Sequence, residues 1–199
     1  MARRSDHTHD EIRDMAVAAA RTKLEADGLE KVTLRGIARD IGYSPGTLYN
    51  VFDSTDELMM RVNAATIDDL VAALAAAEAD GHEPDLAELL SVYSGFVQAN
   101  ANRWQAVFDY SLADPSAAPG WYVEKLNAGL AVVERAVARL PGRPPYPPAV
   151  TARVLWAGLH GIFSLGAEGN LKLVTDRSAA DLAEALVGLI AIAVGKEAA

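Results

Sequence analysis

The amino-acid sequence predicts an all-α fold of about nine helices, with a small three-helix module at the N-terminus and a larger helical body after it. Apolar residues recur at steps of three and four along most of the chain, which is the spacing of amphipathic helices. Glycine, proline and polar capping residues divide the chain into segments of ordinary helix length. No segment alternates between apolar and polar residues as a half-buried strand does, so we expect no β-sheet.

The composition describes a folded protein and excludes several kinds of site. Of the 199 residues, 51% are hydrophobic and 23% are charged, a balance that excludes a disordered chain. The absence of cysteine excludes disulfides, thiolate metal sites and a cysteine nucleophile. The longest apolar run, residues 186–194, is too short to cross a membrane, and the N-terminus lacks the apolar stretch of a secretory signal. We therefore expect a cytoplasmic protein without membrane association.

The first two helices are predicted from their apolar faces and their end signals. The first is expected over residues 10–27, because apolar residues keep helical spacing up to Gly28, a natural stop. Thr33 stands where a capping residue belongs at the start of a short second helix. Gly42 ends that helix, since glycine tolerates the positive φ of a tight turn.

Two start signals follow closely on this turn. Ser44 and Pro45 are typical of the cap and first position of a helix, so a third helix is expected from here to about Phe52. The sequence Ser-Thr-Asp-Glu at 54–57 is a capping box and opens a fourth helix that is expected to reach about residue 80. Further helices are predicted over residues 84–101, 103–112, 119–140, 147–168 and 178–195.

The second and third helices fit a helix-turn-helix. Such a pair needs a small residue at the crossing, a glycine in the turn and an aliphatic residue pointing back, and Ala38, Gly42 and Leu48 meet these needs. Thr47 and Tyr49 then face outward, where hydroxyls can contact phosphates or base edges. The spacing alone is also compatible with a helical hairpin that packs within the fold and does not bind DNA.

The residues from Thr33 to Phe52, continued by Asp53–Leu58, resemble the DNA-binding signature of TetR-family transcriptional regulators. The resemblance covers about residues 10–60. It implies an all-α homodimer with a DNA-binding domain at 1–53 and a ligand-binding and dimerisation domain at 54–199. The DNA-binding residues implied by position are Thr33, Arg35, Tyr43, Ser44, Pro45, Gly46, Thr47, Tyr49 and Asn50. Arg3 and Arg4 precede the first helix and fit either an arm that reaches DNA or a solvated terminus.

Two positions depart from the family pattern. The family usually has a lysine two residues before its acidic pair, where this chain has Thr55, and it often has a polar residue where this chain has Val51. Fewer cations predict weaker phosphate binding and a shallow dependence on salt. Residues 1–52 hold as many basic as acidic residues, so the rest of the chain carries the whole net charge of −9. Repulsion of that acidic part would turn the N-terminal module toward DNA.

The C-terminal half carries a second resemblance, to the Trp-x-x-x-His-Gly subgroup of TetR-like domains, at Trp156, His160 and Gly161. The helices at 147–168 and 178–195 are the most apolar and are expected to form a four-helix dimer interface, although packing within one chain is the alternative. Aromatic residues fit either an apolar ligand pocket or a plain core. The ligand-binding candidates are Phe96, Trp104, Phe108, Trp121, Trp156 and His160.

These observations favour a sequence-specific regulator, most simply a repressor that a small apolar or amphipathic ligand releases from a near-palindromic operator. The alternative is a helical small-molecule-binding dimer that has lost DNA binding. A helical enzyme is disfavoured because His7 and His9 sit at the terminus and no phosphate-binding glycine loop or zinc-protease motif is present. No metal and no cofactor are expected. The sequence leaves the identity of the ligand and the operator open.

Overall fold

The structure is a computed structural model that describes residues 7–112, 114–142 and 145–195. This part of the chain contains nine α-helices and no strand, so the all-α prediction is confirmed. The candidate arm residues Arg3 and Arg4 lie outside the described residues. The helices are α1 (His9–Asp27), α2 (Leu34–Asp40), α3 (Pro45–Tyr49), α4 (Thr55–Ala77), α5 (Leu86–Ala99), α6 (Ala101–Asp109), α7 (Gly120–Ala138), α8 (Pro148–Ala167) and α9 (Ala179–Gly195).

Several helices end earlier than the sequence predicts, and α3 and α4 are the two that bear on the site. The prediction that α3 runs to about Phe52 is wrong, because the helix ends at Tyr49 and residues 50–52 form a turn. Both Val51 and Phe52 donate their backbone N–H groups to the Leu48 carbonyl, which brings Phe52 into the core. The prediction that α4 reaches residue 80 is also wrong, since the helix ends at Ala77 and a single 3-10 turn follows at Ala79–Gly81.

The chain divides into two compact units. The first contains described residues 7–67 and 100–123, and the second contains 68–99 and the described residues from 124 onward. The predicted functional boundary after residue 53 falls inside the first unit and stays a prediction.

The first unit is built on the apolar face of α1. Residues four apart on this helix, among them Ile12, Ala16 and Ala20, are fully or almost fully buried, as an amphipathic helix requires. Phe52 is 1% exposed and fills the space under the short helices. The same core contains Val32, Leu34, Ile37, Ala38, Leu48, Leu58, Met59, Val62 and Ala106.

In the second unit, α8 packs on α9 and α5 packs on α9. The α8–α9 contact is close at Gly158, because a Cβ there would lie 2.6 Å from the Leu186 side chain. Tyr93 of α5 meets Phe163 of α8 edge to face, with ring centroids 5.7 Å apart. No helix in the described residues is long and apolar enough to span a membrane.

Candidate DNA-binding site

The turn between α2 and α3 is fixed by its backbone. Gly42 has φ +78°, a conformation that side-chain-bearing residues rarely adopt, and the next residue, Tyr43, donates its backbone N–H to the Ala38 carbonyl at 2.8 Å. Ala38 and Leu48 are completely buried, so the crossing predicted from the sequence is present. The two helices therefore form a helix-turn-helix whose geometry depends on few residues.

Both short helices carry side-chain caps. Thr33 Oγ1 accepts a hydrogen bond from the Gly36 N–H at 3.1 Å, and Ser44 Oγ accepts one from the Thr47 N–H at 3.2 Å. The Thr47 hydroxyl lies 2.9 Å from Ser44 Oγ, so these two hydroxyls form a pair at the start of α3. Each cap satisfies one backbone donor that the helix itself leaves without a partner.

The outer side of α3 is open to solvent. Tyr49 is 61% exposed. Ser44, Gly46 and Asn50 are exposed too, whereas Thr47 is half-buried. An exposed tyrosine beside an amide and hydroxyl groups is an unusual surface for a core-packing hairpin, and it suits contact with base edges and phosphates.

A groove beside α2 and α3 joins several of the predicted DNA-binding residues. It is an open depression of about 550 Å³, lined by Thr33, Arg35, Gly36, Arg39, Tyr43 and Pro45. Four of these six were predicted from the sequence, while Thr47 and Tyr49 of α3 and Asn50, which follows it, lie outside the groove lining. The lining includes two arginines and no carboxylate among the described residues, so the groove attracts an anion.

Gly36 and Arg39 are the groove residues that the sequence interpretation missed, and Arg39 is the charged one. Its side chain is 80% exposed, and its nearest ion-pair partner, Asp40, is 3.9 Å away and also accepts Lys23 at 3.0 Å. Arg39 follows Arg35 by four positions, which places both on one face of α2. The four-residue spacing of the two arginines was the signal from which Arg39 could have been predicted.

The two departures from the family pattern have different structural meanings. Val51 is 6% exposed and belongs to the core of the first unit, so this position packs and does not face outward. Thr55 begins α4 and is exposed, so the lysine missing there is a missing surface cation. The expectation of weaker phosphate binding now depends on Thr55 alone.

One half of the predicted capping box is present at the start of α4, while the return bond of Glu57 goes to Asp53 and not to Ser54. The Ser54 hydroxyl accepts from the Glu57 N–H at 3.1 Å, and the Glu57 carboxylate accepts from the Asp53 N–H at 2.8 Å and from Arg61. Burial raises the pKa of Glu57, but the Asp53 N–H and the Arg61 guanidinium outweigh it and hold the pKa below its ordinary value. The carboxylate is therefore charged, and its hydrogen bond from the Asp53 N–H connects the end of the N-terminal module to α4.

The six ligand-binding candidates fall into two groups of three. Trp104, Phe108 and Trp121 belong to the first unit, and Phe96, Trp156 and His160 to the second. Their binding role stays a prediction.

Each group contains one aromatic contact that the sequence suggests by spacing. In the first unit, Trp104 and Phe108 meet edge to face at 5.1 Å. In the second unit, Trp156 and His160 stack with centroids 6.1 Å apart. Trp121 has a further partner, since the Arg61 guanidinium lies 5.2 Å from the ring centroid. These contacts fit a core as well as a pocket wall.

Two protein families match the chain. Residues 16–62 match the family described as bacterial regulatory proteins, tetR family. Residues 86–190, more than half of the chain, match the family described as tetracyclin repressor-like, C-terminal domain. The finer Trp-x-x-x-His-Gly subgroup is not confirmed by these matches and stays a prediction. Curated protein sequences give no match.

Solved structures share the fold. A protein of unknown function from Rhodococcus sp. RHA1 has a TM-score of 0.73 and 23% identity, with 97% of this chain and 99% of that chain covered. SmeT, the repressor of a Stenotrophomonas maltophilia multidrug efflux pump, has a TM-score of 0.60 and 19% identity, with 94% and 90% covered. A SmeT–triclosan complex has a TM-score of 0.57 and 21% identity, with 88% and 90% covered.

The family matches and the geometry of α2 and α3 agree. The N-terminal match includes the whole helix-turn-helix, and the C-terminal match includes most of α5–α9. The chain belongs to the TetR family and is a DNA-binding transcriptional regulator.

Proposed function

We propose that the protein is a homodimeric repressor that binds a near-palindromic operator and leaves it when a small apolar or amphipathic ligand binds. The observation that carries the proposal is the exposed face of α3 beside a groove lined by two arginines. In this arrangement α3 enters the major groove with Tyr49 and Asn50 toward the bases. Thr33, Arg35 and Arg39 then meet the phosphates, which set position and affinity.

The helices α8 and α9 support the dimer. Apolar side chains on both helices face solvent in the single chain, and Val154, Leu189 and Ile192 are each more than half exposed. An apolar surface on two long helices is costly in water and is typical of a subunit interface. A second copy that covers it would bring two reading modules to one operator, as a palindromic site requires.

The ligand is proposed from the family and from the chemistry of the candidates. The structurally similar SmeT has been captured with triclosan, an apolar molecule with a polar group. In the first unit Trp104 and Trp121 offer apolar area, and in the second unit Trp156 offers apolar area beside the polar His160, so each unit is considered by itself. A ligand acts by favouring one arrangement of the dimer over another, so it releases DNA only if it binds the free form more tightly. Because its target is the genome, we place the protein in the cytoplasm.

Selection of bound duplexes from a random DNA pool tests the proposal. Wild-type protein should enrich a near-palindromic sequence, and the Tyr49→Ala variant should enrich none while keeping its helical content and oligomeric state. The matched control is Tyr146→Ala, because Tyr146 is similarly exposed, at 64%, but lies far along the sequence before α8. Equal enrichment by the wild type and Tyr49→Ala would remove α3 from its proposed role.

Thr55 bears on the strength of DNA binding. The exposed start of α4 carries Thr55 where the family pattern usually has a lysine, and a missing cation weakens phosphate binding. The Thr55→Lys variant should bind the selected duplex more tightly than the wild type and depend more steeply on salt. Equal affinity and equal salt dependence would show that this position does not contact a phosphate.

A further inference from the structure

One side-chain pair connects the N-terminal end of the described chain to the groove. His7 Nδ1 lies 2.6 Å from the Tyr43 hydroxyl oxygen, and the two rings meet edge to face with centroids 6.2 Å apart. Tyr43 lines the groove together with Arg35 and Arg39. His7 therefore contacts a side chain that lines the groove proposed to bind DNA.

The backbones on both sides of this pair are held in place. Thr8, the residue after His7, caps α1 by accepting the Glu11 N–H, while the Glu11 carboxylate accepts the Thr8 N–H at 2.6 Å. Tyr43 is held by its own N–H bond to Ala38, and its ring packs against the core of the first unit. The contact between the two rings is thus set by two anchored backbones, although both side chains can be reached from solvent.

We propose that His7 is a positioning residue for DNA binding, which holds the Tyr43 side chain at the groove and directs the Tyr43 hydroxyl proton toward a DNA phosphate when the imidazole is protonated. The inference rests on the proposed DNA-binding function and adds pH control to the same site.

The direction of the hydrogen bond depends on the tautomer and on the protonation state of His7. A neutral imidazole with its proton on Nε2 has Nδ1 as an acceptor, so the Tyr43 hydroxyl donates a hydrogen bond to it. An imidazolium donates from both ring nitrogens, so the Tyr43 oxygen accepts and its proton becomes available for a phosphate oxygen. The imidazolium also adds a positive charge beside the groove, which strengthens phosphate binding.

Some charged groups around the pair favour a positive charge on His7 and others oppose it. Glu11 of α1 favours the imidazolium, and the pKa of Glu11 is below its ordinary value chiefly because the Thr8 N–H donates to it, so it is charged near neutral pH. Asp10 of α1 is engaged by Arg13. Arg35 and Arg39 of α2, beside Tyr43, oppose a further positive charge until a phosphate binds between them. DNA and a proton on His7 therefore favour each other.

The test measures DNA affinity against pH. A fluorescently labelled duplex taken from the random-pool selection is titrated with protein at several pH values from 5.5 to 8.5, chosen to span the titration of histidine. Wild-type affinity should fall as the pH rises, by up to about tenfold per unit above the titration midpoint when one proton is taken up with the DNA. His7→Gln should show a flat profile, since glutamine keeps a hydrogen-bonding group but does not titrate.

Two variants control the result. His9→Gln removes a histidine two residues away that has no contact with Tyr43 among the described hydrogen bonds, and it should keep the wild-type profile. Tyr43→Phe should make the profile shallower than that of the wild type, because the hydroxyl is absent and only the charge of the imidazolium remains. Identical profiles for the wild type and His7→Gln would overturn the inference while leaving the DNA-binding function intact. Absence of binding at every pH would overturn the proposed function itself, and the inference with it.

Discussion

Replacing Gly36 with alanine tests how α2 begins, because a new methyl group would meet the residue that caps the helix. Thr33 Oγ1 accepts the Gly36 N–H at 3.1 Å, and a Cβ on Gly36 would lie 3.0 Å from that same oxygen. This distance is shorter than an ordinary van der Waals contact, so the Thr33 hydroxyl has to shift by a few tenths of an ångström, which weakens the cap without removing it. Gly36 thus keeps room for the cap that shapes one wall of the groove.

Two effects oppose each other in Gly36→Ala. Alanine in a helix is favoured over glycine by up to about 1 kcal/mol. Complete loss of a threonine cap costs about 1 kcal/mol, and the new methyl group only weakens the cap. We therefore expect Gly36→Ala to gain less than about 1 kcal/mol, Thr33→Ala to lose about 1 kcal/mol, and Gly36→Ala to gain more when position 33 is already alanine. The coupling between the two positions is thus below about 1 kcal/mol.

Urea unfolding followed by far-ultraviolet circular dichroism measures these values, with all proteins at one concentration because a dimer's stability depends on it. Gly46→Ala is the matched control. A Cβ on Gly46 would lie 3.7 Å from Ser44 Oγ, an ordinary contact, so that cap survives and the helix gains stability. The reasoning is refuted if Gly36→Ala stabilises the protein by the same amount with Thr33 and with Ala at position 33.

Three further predictions concern the core, the start of α4 and the dimer. Leu48→Ala, at a fully buried site, should lower the free energy of unfolding by about 3 kcal/mol, measured in urea. Glu57→Gln should lower the melting temperature at neutral pH but not in acid. The Glu57 pKa is depressed from 4.5, so its stabilisation is present above that pH and lost as the pH falls through the folded-state value. Val154→Asp should give monomers in sedimentation velocity, whereas Val123→Asp on α7 should remain dimeric; a dimeric Val154→Asp would move the interface elsewhere.

The helix-turn-helix could be predicted because its requirements are local. Ala38, Gly42 and Leu48 have to stand at fixed spacings for two short helices to cross. Thr33 and Ser44 are residue types that are strongly preferred as helix N-caps. Each of these positions has the expected role in the structure. The family match then confirms the function that this motif implied.

Features that depend on distant residues could not be predicted. The contact of His7 with Tyr43 joins residues 36 positions apart, and no local pattern encodes it. The burial of Val51 was missed because the family pattern, which often has a polar residue at this position, suggested a surface site. The ligand-binding candidates were chosen by residue type, and aromatic residues serve cores and pockets equally well.

Hydroxyl-radical footprinting of the wild-type protein on its selected duplex tests the central claim most directly. Two reading modules that each place α3 in the major groove should protect two symmetric half-sites, with centres one helical turn of about 10 base pairs apart or a multiple of it. The protection should lie on one face of the duplex and disappear with Tyr49→Ala. A single asymmetric protected patch, or two patches that persist in Tyr49→Ala, would contradict a dimer that reads DNA with α3.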